Sequence, residues 1–257
     1  MKILVTLAYL AVITVNYLAN ALPIGGITTG EASDSLPNLF TPAGITFSIW
    51  GVIYLLLAVY VIYSWGLIGK KRNKKTDELI KKVDIIFIIN ALANISWIFA
   101  WHYRYIGVSV LIMIVLLVSL ILIANQINNK KLNLTDNICL RLPFSIYFGW
   151  ITIATIANVS VFLVSLNWDG FGISDEIWTI IVLLVGATIG IWRSVKDKNI
   201  PYILVFIWAY AGIIFKHNSM DGFAGQYPNI ILTAIICIFF YIGTMAWVGF
   251  RKQLKIK

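Results

Sequence analysis

The chain has 257 residues, of which 60% are hydrophobic and only 12% are charged. Soluble globular domains carry about 25% charged residues, so this composition excludes an ordinary soluble domain. The formal net charge is +9. The basic residues lie in short clusters without interleaved aromatic residues, which argues against nucleic acid as a partner. The sequence therefore predicts an integral membrane protein that has membrane lipid as a partner.

Long apolar stretches with almost no internal charge recur along the chain. Runs of about 17–25 apolar residues predict transmembrane helices and argue against a β-barrel, whose strands alternate over about ten residues. Helices also pair their own backbone polar groups, which the bilayer core requires. We therefore predict an all-α, polytopic membrane helix bundle of about eight transmembrane helices. They lie near Ile3–Leu22, Ile45–Gly69, Val83–Trp101, Gly107–Ala124, Ile138–Leu166, Ile177–Val195, Ile200–Phe215 and Asn229–Phe250.

Lysine and arginine alternate between successive loops. The predicted loops on one side hold only Arg104 and Lys216, whereas the loops on the other side are rich in basic residues. Because basic loops stay in the cytoplasm, we predict that both termini are cytoplasmic and that the chain is a multi-pass protein of the cell membrane. The most basic loop contains Lys70, Lys71, Arg72, Lys74, Lys75, Lys81 and Lys82.

The first apolar stretch has two interpretations. Lys2, the run that follows it and Ala19-Asn20-Ala21 are typical of a secretory signal with its cleavage site. The run is long, and it carries Asn16 and Asn20 in its second half, which favours a retained helix. The predicted orientation of the remaining helices is the same in both cases.

Prolines, tryptophans and asparagines form three groups with regular spacing. The stretch 42–54 reads PAGITFSIWGVIY, with a tryptophan eight residues after the proline and a tyrosine four residues later. An N-x-x-W sequence follows in the third apolar stretch. In the fifth, a tryptophan follows a proline, with alanine and asparagine four and eight residues further on. The residues are Pro42, Trp50 and Tyr54, then Asn94 and Trp97, then Pro143, Trp150, Ala154 and Asn158.

This set of motifs resembles that of the TspO/MBR family, the tryptophan-rich sensory or translocator proteins. The motifs fall in the same order on the second, third and fifth helices. The resemblance implies a five-helix membrane core at residues 1–167, to which residues 168–257 add three further helices. Two positions depart from the pattern: Thr41 replaces the first proline of a pair, and Leu39 replaces a loop tryptophan.

Proteins of this family are associated with porphyrin, haem and sterol binding, with ligand transport and stress signalling, and some with porphyrin photodegradation. The resemblance implies a receptor, sensor or carrier for a flat hydrophobic ligand such as a porphyrin or haem. It implies no required cofactor, and it is compatible with a homodimer. Since Leu39 replaces the loop tryptophan, we expect binding without efficient degradation. The expected ligand-binding residues are Pro42, Trp50, Tyr54, Asn94, Trp97, Trp150 and Asn158.

The residues themselves support two interpretations of the asparagines. An unpaired amide in hydrocarbon costs several kcal/mol, so each must have a partner or face a polar cavity. Asn90 and Asn94 share a helix face with Trp97, and Trp150 and Asn158 form a second stripe. Two such stripes can line a pocket that suits a flat, largely apolar ligand with polar edges. The alternative is that each asparagine only hydrogen-bonds to a neighbouring helix.

Two other functions remain open, namely an eight-helix transporter or permease subunit and a scaffold bundle in a larger complex. Coupled transporters usually carry a charged residue deep inside a span, whereas Asp84 and Arg141 lie near the predicted cytoplasmic ends of theirs. The residues do not support nucleophilic or metal catalysis, because Walker, HExxH and GxSxG motifs are absent in any suitable context. His102 and His217 lie at predicted outer helix ends, where haem ligation is the alternative to simple solvation.

Several remaining features have plain structural interpretations. Gly186-x-x-x-Gly190 is typical of close helix packing. Trp168 and Trp178 lie near a predicted membrane interface, where tryptophan belts are common. The Asp-Gly-Phe sequence at residues 169–171 predicts a turn.

Overall fold

The computed structural model describes residues 1–22, 24–69, 72–128, 130 and 132–254. Within these residues the structure is helical and contains no strand. The described α-helices are α1 (Lys2–Ala21), α2 (Thr29–Asp34), α3 (Ile49–Ser64), α4 (Lys74–His102), α5 (Ile106–Asn128), α6 (Leu134–Asp136), α7 (Leu142–Ser165), α8 (Asp175–Asp197), α9 (Ile200–Asn218) and α10 (Pro228–Leu254). Short 3₁₀ turns cover Ile24–Gly26, Gly44–Ser48 and Gly170–Gly172, and a π turn at Asn137–Arg141 joins α6 to α7.

Eight helical segments in the described residues are long and apolar enough to cross a membrane, which confirms the predicted all-α membrane fold. The largest difference from the sequence-based bounds is at α4, which begins at Lys74 and not near Val83. Asn73 caps this helix, because its side chain accepts a hydrogen bond of 2.9 Å from the Thr76 N–H. Helix α4 therefore also includes the charged residues that precede the apolar stretch. The orientation of the termini stays a prediction.

The chain divides into two compact units. The first comprises Met1–Ser35 and Ile49–Ile151, and the second comprises Leu36–Ser48 and Thr152–Lys257. The division falls inside α7 and does not coincide with the predicted boundary after Asn167. Whether residues 1–167 and 168–257 are separate domains stays a prediction.

In the first unit, α4 packs against both α1 and α5. Its buried polar side chains are bonded to these and other neighbours. Asn90 donates to Ser119 Oγ on α5 at 2.8 Å, and Asp84 accepts from the Tyr60 hydroxyl on α3 at 2.6 Å. The 18 residues that follow Asp84, up to the end of α4 at His102, span about 27 Å of helix, so Asp84 lies near one end of the apolar region, as predicted.

In the second unit, α8, α9 and α10 pack together around buried aromatic side chains. Phe206 and Tyr210 on α9 both contact Tyr241 on α10, with ring centroids 5.7 and 5.2 Å apart. On the other side, α9 approaches α8 at Gly186 and Gly190. A Cβ at Gly190 would lie 2.8 Å from Phe206 Cδ1, closer than ordinary van der Waals contact. The Gly-x-x-x-Gly motif thus allows this close approach, as its sequence indicated.

Replacing Gly190 with alanine should destabilise the second unit, because the Phe206 ring must move to admit the new methyl group. Overpacking of this kind costs about 1–3 kcal/mol, so we expect a lower midpoint of thermal unfolding. Circular dichroism of the detergent-purified protein measures it.

Gly243→Ala is the matched control, since Gly243 lies within α10 and a Cβ there meets nothing within 4 Å. Alanine is a better helix former than glycine by about 0.8–1.0 kcal/mol, so this variant should unfold at the same temperature or higher. Equal midpoints for the two variants would contradict the close packing of α8 on α9.

Candidate functional site

The seven residues predicted to bind the ligand are divided between the two units. The first unit holds most of them, and the second holds the proline of the first motif and the asparagine of the third. Trp50, Tyr54, Asn94, Trp97 and Trp150 lie in the first unit, and Pro42 and Asn158 lie in the second.

Four aromatic residues of α3 and α7 meet in the first unit, and we call them the Trp50 cluster: Trp50, Tyr54, Tyr147 and Trp150. Trp50 and Tyr54, one helical turn apart, stack at 5.4 Å with an interplanar angle of 19°. Tyr147 and Trp150 approach Trp50 edge-on at 5.8 and 6.3 Å. The sequence analysis missed Tyr147. The available signal was its position three residues before Trp150, which places both on one helix face.

Asn94 joins this cluster through a buried hydrogen-bond chain. Its Nδ2 donates to the Tyr147 hydroxyl at 3.1 Å, and its Oδ1 accepts from Asn16 Nδ2 at 2.8 Å. Asn16 and Asn94 are 7% and 1% exposed, so both amides are cut off from water. Asn94 therefore links α1, α4 and α7, as the helix-bridging interpretation of the asparagines expects. Its predicted role in ligand binding stays a prediction.

Tyr54 differs from Asn94, because its polar group is buried but has no hydrogen-bond partner among the described residues. The tyrosine is half-buried as a whole, and so is Trp50, against which it stacks. The Tyr9 hydroxyl bonds to the backbone of this residue, because it donates to the Tyr54 carbonyl at 3.1 Å. A buried, unpaired hydroxyl costs about 1–3 kcal/mol. A ligand edge that donates to or accepts from this hydroxyl would recover that cost.

Trp97 belongs to a different arrangement at the end of α4. It stacks on Trp101 at 5.3 Å, and Trp101 Nε1 donates to the Thr29 carbonyl at 3.3 Å. His102 is 2% exposed, and its ring nitrogens lie 2.8 Å from the Ile24 carbonyl and 3.0 Å from Thr29 Oγ1. These contacts hold the segment that leads into α2. His102 is therefore buried and bonded on both nitrogens, and the expectation of a solvated histidine was wrong.

The short helix α2 begins with a reciprocal cap. The Thr28 side chain accepts from the Glu31 N–H at 3.2 Å, and the Thr28 N–H donates to the Glu31 carboxylate at 2.7 Å. This backbone hydrogen bond lowers the pKa of the Glu31 carboxyl. The segment is thus ordered both by its own cap and by its bonds to α4.

In the second unit, α9 holds the loop that carries Pro42. The Ala43 N–H donates to the Gly212 carbonyl at 3.1 Å, and Trp208 Nε1 donates to the Thr46 carbonyl at 2.9 Å. Pro42 is buried, and the 3₁₀ turn Gly44–Ser48 begins two residues later. One of the three helices beyond residue 167 therefore positions the loop of the first motif.

Leu39, which stands at the place of the loop tryptophan, is also fixed by α9. His217 Nε2 donates to the Leu39 carbonyl at 2.9 Å, and the Leu39 side chain is 8% exposed. His217 is fully buried, and its ring contacts the rings of Phe223 and Tyr227. Like His102, it is not the solvated histidine that its sequence position indicated. Asn158, on α7, is 2% exposed.

A polar cavity of about 510 Å³ lies in the first unit beside the start of α4. Its charged side chains already have protein partners. Arg72 donates to the Tyr63 and Ser64 carbonyls and pairs with Asp77 at 3.0 Å. Asp136 accepts from the Tyr63 hydroxyl at 2.5 Å. These bonds anchor the C-terminal end of α3, so we assign the charged side chains of this cavity a structural role. In the part of the chain that the structure describes, no group of three His, Cys, Asp or Glu residues is placed to hold a metal ion.

Comparison with known protein families decides the broad identity. A family described as TSPO-like protein matches residues 2–247, almost the whole chain. The chain belongs to the TSPO-like family. This confirms the resemblance seen in the motifs, and the match continues through α8, α9 and most of α10. Neither the curated proteins nor the solved structures give a match to this TSPO-like protein.

Replacing Asn94 with alanine should destabilise the first unit, because Asn16 and Tyr147 each lose a buried partner. Interhelical hydrogen bonds of this kind contribute about 1–2 kcal/mol, so the midpoint of thermal unfolding should fall measurably. Asn20→Ala is the control, because Asn20 is exposed and its side chain donates to the Asn16 carbonyl within its own helix. A midpoint for Asn94→Ala no lower than that for Asn20→Ala would argue against the bridging role.

Proposed function

We propose that this TSPO-like protein is a membrane receptor or carrier that binds a flat, largely apolar ligand with polar edges, such as a porphyrin or haem. The ligand binds at the Trp50 cluster of the first unit. Membership of the TSPO-like family and eight membrane-compatible helices support a membrane protein of this type. The proposal uses only first-unit residues, so Pro42 and Asn158 do not enter it.

The observation that carries the proposal is the buried, unpartnered hydroxyl of Tyr54 beside the half-buried ring of Trp50. Asn94, which also meets the cluster, is already bonded to both Asn16 and Tyr147. A planar ligand would stack on the half-buried Trp50 ring and present one polar edge to the hydroxyl. Stacking contributes about 0.5–1.5 kcal/mol beyond area burial, and a hydrogen bond about as much again.

Tyr54→Phe should weaken binding while leaving the stacked rings in place, because it removes only the hydroxyl. The loss of one hydrogen bond predicts a Kd increase of about two- to tenfold. Titration of the detergent-purified protein with protoporphyrin IX and with haem, followed by the ligand's visible absorption, measures this change. Absorption by the ligand avoids interference from the chain's 10 tryptophans.

Tyr17→Phe is the matched control, since Tyr17 lies on α1 and its side chain is 69% exposed. That variant should bind as the parent does. Saturable binding that both variants leave unchanged would place the ligand elsewhere. If the parent protein showed no saturable binding, the proposal would be wrong.

We expect binding without efficient photodegradation. Leu39 has no indole to oxidise, and its backbone is bonded to His217. Under illumination in air, protoporphyrin IX should disappear at nearly the same rate with the parent protein and with Trp50→Phe. Much faster loss with the parent would show that the Trp50 cluster itself supports the oxidation.

Transport by all eight helices is the second candidate function. It is favoured by the family match, which includes α8 and α9, and by the bonds between α9 and the loop of the first motif. Flux of the ligand into vesicles that contain the purified protein separates the two functions. A receptor gives saturable binding without flux, whereas a carrier gives both.

A further inference from the structure

A small cavity in the second unit lies outside the proposed site. It has a volume of about 170 Å³ and is bounded by α7, α8, the turn between them and the loop that begins at Leu36. The walls are mainly apolar, with Leu39, Phe40 and Leu163 among the lining side chains. Two tryptophans that the sequence assigned to a membrane-interface belt, Trp168 and Trp178, also line it.

The turn after α7 fixes these two indoles. Trp178 Nε1 donates to the Gly170 carbonyl at 2.7 Å, and the Trp168 and Trp178 rings lie 5.0 Å apart. Gly170 has a φ of +62°, and a Cβ there would come within 2.9 Å of the Trp178 ring. The Asp-Gly-Phe sequence is thus a turn, as predicted, and its glycine is what lets the Trp178 ring sit against the backbone.

The volume of the cavity suits one small ring. A cavity of about 150 Å³ in another protein binds benzene. A volume of about 170 Å³ therefore accommodates a single six-membered ring and is far too small for a tetrapyrrole. The ligand here must differ from the one proposed for the Trp50 cluster.

The charge of the cavity lining favours a cationic ligand. Asp175, the first residue of α8, is exposed and is the only charged residue among the described residues that line the cavity. Indole faces also attract cations. The neighbouring carboxylate of Glu176 is not in the lining and instead accepts from Asn229 Nδ2 at 3.1 Å.

We propose that this cavity binds a small organic amine that carries one apolar or aromatic ring. The ring lies among Leu39, Leu163 and the two indoles, and the ammonium group lies at Asp175. This site is independent of the Trp50 cluster, so either can fail without the other.

Three probes of one shape and different charge test the proposal on the full chain in detergent: benzylamine, benzyl alcohol and benzoate. A fluorinated benzylamine followed by fluorine NMR gives a direct binding signal. We expect saturable binding, with benzylamine about fivefold tighter than benzyl alcohol and benzoate weakest. No saturable binding of benzylamine, or equal affinity for all three probes, would overturn the proposal.

Four variants locate the site. Asp175→Asn should abolish the preference for benzylamine over benzyl alcohol, whereas Glu176→Gln, its matched control, should keep it. Leu163→Trp and Val182→Trp fill the cavity from α7 and from α8, and each should eliminate binding while leaving porphyrin binding unchanged.

A preference that survives Asp175→Asn, or benzylamine binding that survives both filling variants, would overturn the assignment. If the filling variants do not fold, as judged by thermal unfolding, the comparison of Asp175→Asn with Glu176→Gln decides alone.

Discussion

The first unit depends on one constraint, which is that the bilayer core offers no water to a buried polar group. Each amide, hydroxyl or carboxylate that turns inward therefore costs free energy unless it finds a hydrogen-bond partner in the protein. Asn94 meets this constraint by accepting from Asn16 and donating to Tyr147, so that one side chain ties three helices together. Asn90 and Asp84 do the same toward α5 and α3. Because apolar helices gain little by burying apolar surface in lipid, these bonds and close packing select the neighbours of α4.

The second unit applies the same constraint to backbone groups. A loop that enters a membrane protein carries unpaired N–H and carbonyl groups, and α9 supplies partners for several of them through Gly212, Trp208 and His217. The closeness of α8 to α9 in turn requires glycine at 190. The helices after residue 167 are thus more than additional membrane spans, since α9 determines where the Pro42 loop lies.

The sequence predicted what depends on local pattern and missed what depends on tertiary contacts. Eight spans followed from the length and hydropathy of the runs. The start of α4 was missed because a helix continues through charged residues wherever a cap supports it. The burial of His102 was missed because its partners, Ile24 and Thr29, lie more than 70 residues away in sequence. Motif positions also do not reveal that Asn158 and Trp150, on one helix, fall in different units.

Two kinds of polar residue remain once these bonds are assigned, and they differ in what they can do. The Asn94 amide already bonds to neighbouring helices, so a ligand that bonded to it would have to break an existing hydrogen bond. The Tyr54 hydroxyl has no hydrogen-bond partner among the described residues. A ligand that reaches it therefore forms a hydrogen bond without breaking one within the protein. In an aromatic cluster within a membrane protein, a polar group without a hydrogen-bond partner, such as the Tyr54 hydroxyl, therefore indicates a ligand site better than a motif residue that is already bonded, such as Asn94.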